Sequence, residues 1–213
     1  MSQTSTLPGY GYDDLPALMA LMTGDEKHDL AAESTLDVLW VLYDRVLRIS
    51  PAQAKTEPRD RFYLSKGHGP MAFYAILAAK GFIDVSELRR YGRFDSMLGQ
   101  HPDRNLVCGA EISSGSLGHG LPIAVGTALG LRAMGLGHDR VFVLTGDGEL
   151  DEGSGHGRSL SPGGPGSRPC TASSWITHRP GTAGPAGSRP GSLPRAGRRR
   201  GSAGATMTRS RRR

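Results

Sequence analysis

The sequence predicts an α/β fold, a parallel sheet covered by helices on both faces, followed by a disordered tail. Three observations carry that expectation. Residues 140–145, RVFVLT, form an apolar run of strand length that leads straight into the glycine-rich GDGELDEG. That is the pattern of a strand buried on both faces. Stretches with helical spacing come before it, which suits helices packed on a sheet. Near Ser154 the composition changes abruptly, and no apolar periodicity follows.

The charge is divided in the same place. Residues 1–153 hold all 20 acidic residues and 14 of the 26 basic ones, a net charge of −6. Residues 154–213 hold 12 arginines with no lysine and no acid, so the +6 of the whole chain comes from the tail. Gly, Pro, Ser and Arg dominate these last residues, and Trp175 and Ile176 are nearly their only large apolar side chains. So little apolar surface does not offset the ordering entropy of roughly 1–2 kcal/mol per residue. Three explanations fit the tail: an arginine-rich arm binding nucleic acid non-specifically, an ordinary flexible tail, or a shifted reading frame of GC-rich codons.

Other classes are set aside. No apolar run approaches the ~20 residues of a membrane-spanning helix. The start, MSQTSTLPGYGYDDL, has neither the basic end nor the apolar stretch of a signal peptide. Cys108 and Cys170 are far apart with no CxxC, which argues against a disulfide scaffold or a zinc knuckle. A soluble, cytoplasmic chain is expected.

Element by element, Ala32–Ile49 places Leu36, Leu39, Trp40, Tyr43, Val46 and Leu47 on one helical face, with Pro51 just beyond its end. A second helix is expected over Pro70–Lys80, with proline at its first turn and Gly81 after it. Ser86 is expected to cap a short helix through Arg90. An irregular polar region, RFDSMLGQHPDRNLVCGAEISSGSLGHG, leads to a small-residue helix over about Leu121–Met134. Gly126 and Gly130 inside it cost about 1 kcal/mol each against alanine, so close packing or ligand approach is expected there.

Several motifs bear chemistry. In GDGE, Gly146 to Glu149, a carboxylate between glycines at a strand's carboxyl end suits a hard cation and a phosphate. A plain glycine–aspartate surface turn would read the same. SKGHG and GQHPD place His68 and His101 in glycine-rich loops, where imidazole donates to phosphate or moves a proton near neutral pH. An ordinary loop or core histidine is the alternative for each, and for His119. SSGSLGHGL puts a glycine-rich turn before a helix, where free backbone amides bind anions. Neither GxGxxG after a strand nor GxxxxGK[ST] occurs, and GxSxG is absent.

The order of the blocks is more specific than any one of them. DRFYLSKGHGPMAFYAILAAKGF, GQHPD, EISSGSLGHGLPIAVGTALGL and VFVLTGDGELDEG together resemble the amino-terminal part of a transketolase, across about residues 28–153. The resemblance implies an incomplete thiamine-diphosphate-binding fold, with residues 1–27 as an amino-terminal segment and 154–213 as the tail. It implies a thiamine-diphosphate- and magnesium-dependent transfer of a two-carbon ketol unit between sugar phosphates. The GSLGHGL wording is similar to bacterial transketolases made as two subunits. A homo- or hetero-oligomer is therefore implied, with a second chain that carries the pyrimidine domain.

Residue by residue, the resemblance assigns His68 to the cofactor diphosphate and His101 to a donor-sugar hydroxyl. Gly115, Ser116 and Leu117 fall against the aminopyrimidine. Gly146 and Gly148 fall at the diphosphate, Asp147 on magnesium and Glu152 in a carboxylate network at the dimer interface. His28 stands at the spacing of the family's first histidine, although the family's His-Pro-Gly is His28-Asp29-Leu30 here. The family also has an asparagine pair after GDG that completes the metal site, whereas Asn105 is the only asparagine in this chain. The expectation is therefore an incomplete metal site, an open edge beside RVFVLT, and no turnover by the chain as written. Deoxyxylulose-phosphate synthase, another thiamine-diphosphate enzyme, is the alternative within enzymes. A nucleic-acid-binding protein acting through its basic tail is the alternative outside them.

Overall fold

The computed structural model describes residues 9–22, 29–153 and 172–177. The chain divides into two units, Met1–Pro180 and Gly181–Arg213, and the second lies wholly outside the described residues. So do His28, most of the amino-terminal segment and the rest of the tail.

The elements, in chain order, are α1 (Leu15–Met19), α2 (Asp29–Val41), β1 (Arg61–Leu64), α3 (Met71–Ala79), α4 (Val85–Leu88), α5 (Gly120–Ala133), β2 (Val141–Gly146) and β3 (Ala172–Thr177). The strands form one parallel sheet in the order β1-β2-β3. Arg61 pairs with Val141 through to Leu64 with Leu144, so β1 and β2 end level with each other.

Alternation along the strands divides the core between two faces. Phe62 and Leu64 of β1 join Phe142 and Leu144 of β2 beneath α1, α2 and α3. Tyr63, Val141 and Val143 face the other way, onto Ala124 and Leu131 of α5 and onto Ile112. The predicted sheet covered on both faces is what the chain builds, and β2 is buried along its whole length.

Helix α2 runs on as a single π turn, Leu42–Val46, and ends at Leu47, two residues before the expected Ile49. Tyr43 on that turn is the hub of an aromatic cluster. Its ring lies edge-on to Phe62 at 5.6 Å, Phe82 at 6.0 Å and Phe73 at 6.1 Å between centroids. Such pairs add to the burial that joins α2 to β1 and α3. Helix α3 is buried from Met71 to Ala78, which explains its unbroken apolar sequence.

The structure differs from the sequence reading in four places. RFYL, which predicts no element of its own, is β1; four residues are too few to show a period. Asp84, not Ser86, caps α4, its Oδ1 accepting from the Ser86 amide at 2.7 Å. Gly126 and Gly130 are exposed on α5, and a Cβ at either would meet nothing within 4 Å. The edge of β2 expected to be open carries β3, from Val141 opposite Ala172 to Gly146 opposite Thr177. This strand, ASSWIT, holds the few large apolar residues of the tail, and pairing satisfies backbone groups that an open edge would expose.

Candidate functional site

Four loops meet beyond the carboxyl ends of β1 and β2, the place where open parallel sheets hold ligands. Ser65–Gly69 follows β1, and a 3-10 turn, Asp147–Asp151, follows β2. The segments around 99–103 and 112–119 come in from the long irregular region.

Glu149 joins three of them. It is buried and accepts from the Ser65 hydroxyl at 2.5 Å, the Gly118 amide at 2.8 Å and the Gly146 amide at 2.8 Å. A buried carboxylate is costly unless donors replace its water, and these three do so. Ser65 in turn accepts from the Gly120 amide at 3.0 Å, fastening the start of α5 to the end of β1. Two amides at the glycine-rich turn before α5, expected to be free for an anion, are therefore used inside the protein. The reason is the buried Glu149, which the chain must satisfy.

Glycines permit the remaining approaches. A Cβ on Gly67 would lie 2.5–2.7 Å from Ser114 Oγ, the Ser114 carbonyl carbon and the Gly115 nitrogen. Gly115, at φ +148°, lies against the His101 ring, and a Cβ there would come within 2.9 Å of its Cδ2. Gly146 packs on the stem of buried Lys66. The HPD segment is stitched to SSG by the Ser114 amide, which donates to the Pro102 carbonyl at 3.2 Å, and by Ser113 Oγ, which donates to Asp103 Oδ1 at 3.2 Å. Ser114 Oγ is buried and has no hydrogen-bond partner among the described residues.

The predicted site residues fall around this junction. His68 is half-buried in the loop between β1 and α3, and His101 is exposed with its ring on Gly115. Leu117 is half-buried and Ser116 exposed; the Ser116 carbonyl accepts from His119 Nδ1 at 3.2 Å. Asp147 is half-buried, and its Oδ1 accepts from the Gly148 amide at 2.9 Å. Gly148 is exposed, with open space where a Cβ would stand. Glu152 is exposed, its amide donating to the Glu149 carbonyl at 3.3 Å. Among the described residues, no three His, Cys, Asp or Glu side chains are grouped to hold a metal ion.

Glu149, Ser65 and Lys66 are the structural residues that motif reading passes over. Glu149 leaves one signal, a glutamate three residues after Gly146 reaching back to that amide as in a capped helix start.

The family model of the transketolase thiamine diphosphate binding domain matches residues 17–163, wider at both ends than the motif-bearing 28–153. The chain belongs to the transketolase family. A protein named Ferredoxin fas2 from Rhodococcoides fascians is 57% identical over 147 residues, covering 69% of this chain and 48% of its own. One of the two chains of an apulose-4-phosphate transketolase from Actinobacillus succinogenes is 42% identical over 127 residues, covering 60% of this chain and 46% of its own. The chain thus spans about half the length of these curated relatives. Among solved structures, transketolase from Leishmania mexicana superposes with a TM-score of 0.55 at 23% identity, over 69% of this chain and 24% of that one. That likeness supports the fold, and the junction of loops lies in the transketolase-family thiamine-diphosphate-binding domain. Among the described residues no helix is long and apolar enough to cross a membrane.

Proposed function

We propose that this transketolase-family domain holds the diphosphate end of thiamine diphosphate, with magnesium, beyond β1 and β2. We propose further that it serves ketol transfer between sugar phosphates together with a pyrimidine-domain subunit. The observation that carries this reading is the convergence of SKGHG, HPD, SSGSLG and GDGE on one junction, organised by Glu149. The fit to a diphosphate rests on open space at Gly148, the half-buried Asp147 beside it and the orphaned Ser114 hydroxyl.

When bound, the cofactor supplies a nucleophilic carbon and an electron sink for breaking a carbon–carbon bond. The chain's own residues bind, orient and move protons. His68 would donate to a diphosphate oxygen, and Gly146 and Gly148 would let backbone approach it. Asp147 would give magnesium one carboxylate oxygen, which suffices where phosphate and water supply the others. Asn105 does not stand at GDG: its amide is tied to Asp103 Oδ1 at 2.7 Å in the irregular region. Gly115, Ser116 and Leu117 would bear on the aminopyrimidine, and His101, seated on Gly115, would hold or move a proton at a donor-sugar hydroxyl. Glu152 is proposed for an interface between subunits. The relative from Actinobacillus succinogenes is itself named as a transketolase subunit, which supports an enzyme of more than one chain.

Calorimetric titration of the full chain with thiamine diphosphate tests the reading. Saturable, magnesium-dependent binding is expected, with the magnesium dependence lost in Asp147→Ala. No binding at millimolar cofactor, or binding indifferent to Asp147, would overturn it. Ketol transfer by the chain mixed with a pyrimidine-domain subunit, compared with each alone, tests the activity.

A further inference from the structure

We propose that a cavity on the far side of the 104–111 loop binds a phosphate-type oxyanion. This goes beyond the cofactor reading and stands independently of it. The cavity measures about 490 Å³ and lies between residues 54–59 and 104–111. Its polar lining is Lys55, Arg59, Arg104, Asn105 and Glu111, with Cys108 in the same wall.

The chemistry of that lining is one-sided. Arg59 is 8% exposed and forks onto Glu111, Nη1 to one carboxylate oxygen and Nη2 to the other at 3.1 Å, so the single acid is already neutralised. The Arg59 Nε is buried and has no acceptor among the described residues. Lys55 and Arg104 are exposed, and neither makes an ion pair among the described residues. What remains is a spare buried guanidinium donor and two cations, against no unpaired anion. A cavity lined by donors with nothing to accept selects a ligand rich in acceptors and negative charge. A tetrahedral phosphate satisfies this, whether free or as the ester of a small sugar.

The loop that walls the cavity runs from the His101 segment to Ser113–Gly115, so an anion held there would brace the segment on which His101 rests. Arg104 leads this coupling, because its own amide donates to Ser113 Oγ at 3.1 Å.

Cys108 supplies a local reporter, needed because an arginine-rich tail takes up phosphate anywhere along it. In the full chain carrying Cys170→Ser, the rate of N-ethylmaleimide addition at Cys108 is followed by mass spectrometry. Inorganic phosphate is titrated against sodium chloride of matched ionic strength. Phosphate is expected to slow the labelling severalfold while chloride leaves it unchanged. Lys55→Ala and Arg104→Ala, both at exposed positions that the fold tolerates, are each expected to raise the half-protecting concentration about tenfold through loss of one charge-assisted contact. Protection by ribose 5-phosphate at lower concentration than inorganic phosphate would support the ester as the source, and equal protection would support free phosphate. Labelling that phosphate slows no more than chloride, or protection undiminished in both variants, overturns the proposal.

Discussion

Ser65 and Glu149, 84 residues apart, meet beyond the sheet with the serine hydroxyl donating to the carboxylate at 2.5 Å. The same carboxylate takes the Gly118 and Gly146 amides, so one buried side chain ties the ends of both central strands to the start of α5. Glu149→Ala strands two amides and a hydroxyl, each costing about 1–3 kcal/mol when buried unpaired. A loss of about 3 kcal/mol or more is expected, read as a fall in the urea midpoint. Glu149→Gln keeps an acceptor oxygen, and its midpoint should lie between the two.

Asp60 sets the acid limit of the fold. It is fully buried, and burial by itself would push its carboxyl up. Bonds from Arg48 Nη2 at 2.8 Å and Arg140 Nη2 at 2.5 Å, with both residues' amides, outweigh that and hold it well below the ordinary value of 3.8. A depressed folded-state value means the contribution is complete above the ordinary value and is lost as pH falls below it. Asp60→Asn should therefore be less stable than wild type at pH 7 and show a flatter decline below pH 4. Urea midpoints from pH 7 to about 2 check both, since the window lies below the ordinary aspartate value.

Two glycines should respond to alanine with opposite sign. At Gly67 the new methyl meets Ser114 and the Gly115 backbone, which cannot yield without moving the whole 112–119 loop. Gly67→Ala should cost about 1–3 kcal/mol by overpacking. At Gly126, in the middle of α5, the methyl meets nothing within 4 Å. Gly126→Ala should raise stability by up to about 1 kcal/mol through helix propensity alone. Thermal melts of the two variants decide it.

His68 and His101 are expected to divide binding from turnover. In the mixture with a pyrimidine-domain subunit, His68→Ala should weaken thiamine diphosphate binding. His101→Ala should leave that affinity near wild type and lower kcat by about 100-fold, the scale of a lost proton-transfer group. Cofactor titration and steady-state kinetics on the same preparations separate the two, and a His101 variant with full turnover would remove it from the proposed mechanism.

The sequence by itself determined the α/β class, helices α2, α3 and α5, the buried strand β2 and the motifs that carry the transketolase resemblance. Each of these is written in neighbouring residues: periodic apolar positions in α2, an unbroken apolar run in β2, glycines around His68, His101 and Asp147. Tertiary structure alone decided that RFYL is a strand, because four residues take their identity from pairing with Val141–Leu144 and not from a period of their own. It decided that the amides leading into α5 serve Glu149 and Ser65, and that Gly67 and Gly115 are needed for close approach while Gly126 is not. Local pattern records which side of an element is buried. Which distant group satisfies a buried carboxylate depends on how the strands bring their ends together, and no window of the sequence contains both partners.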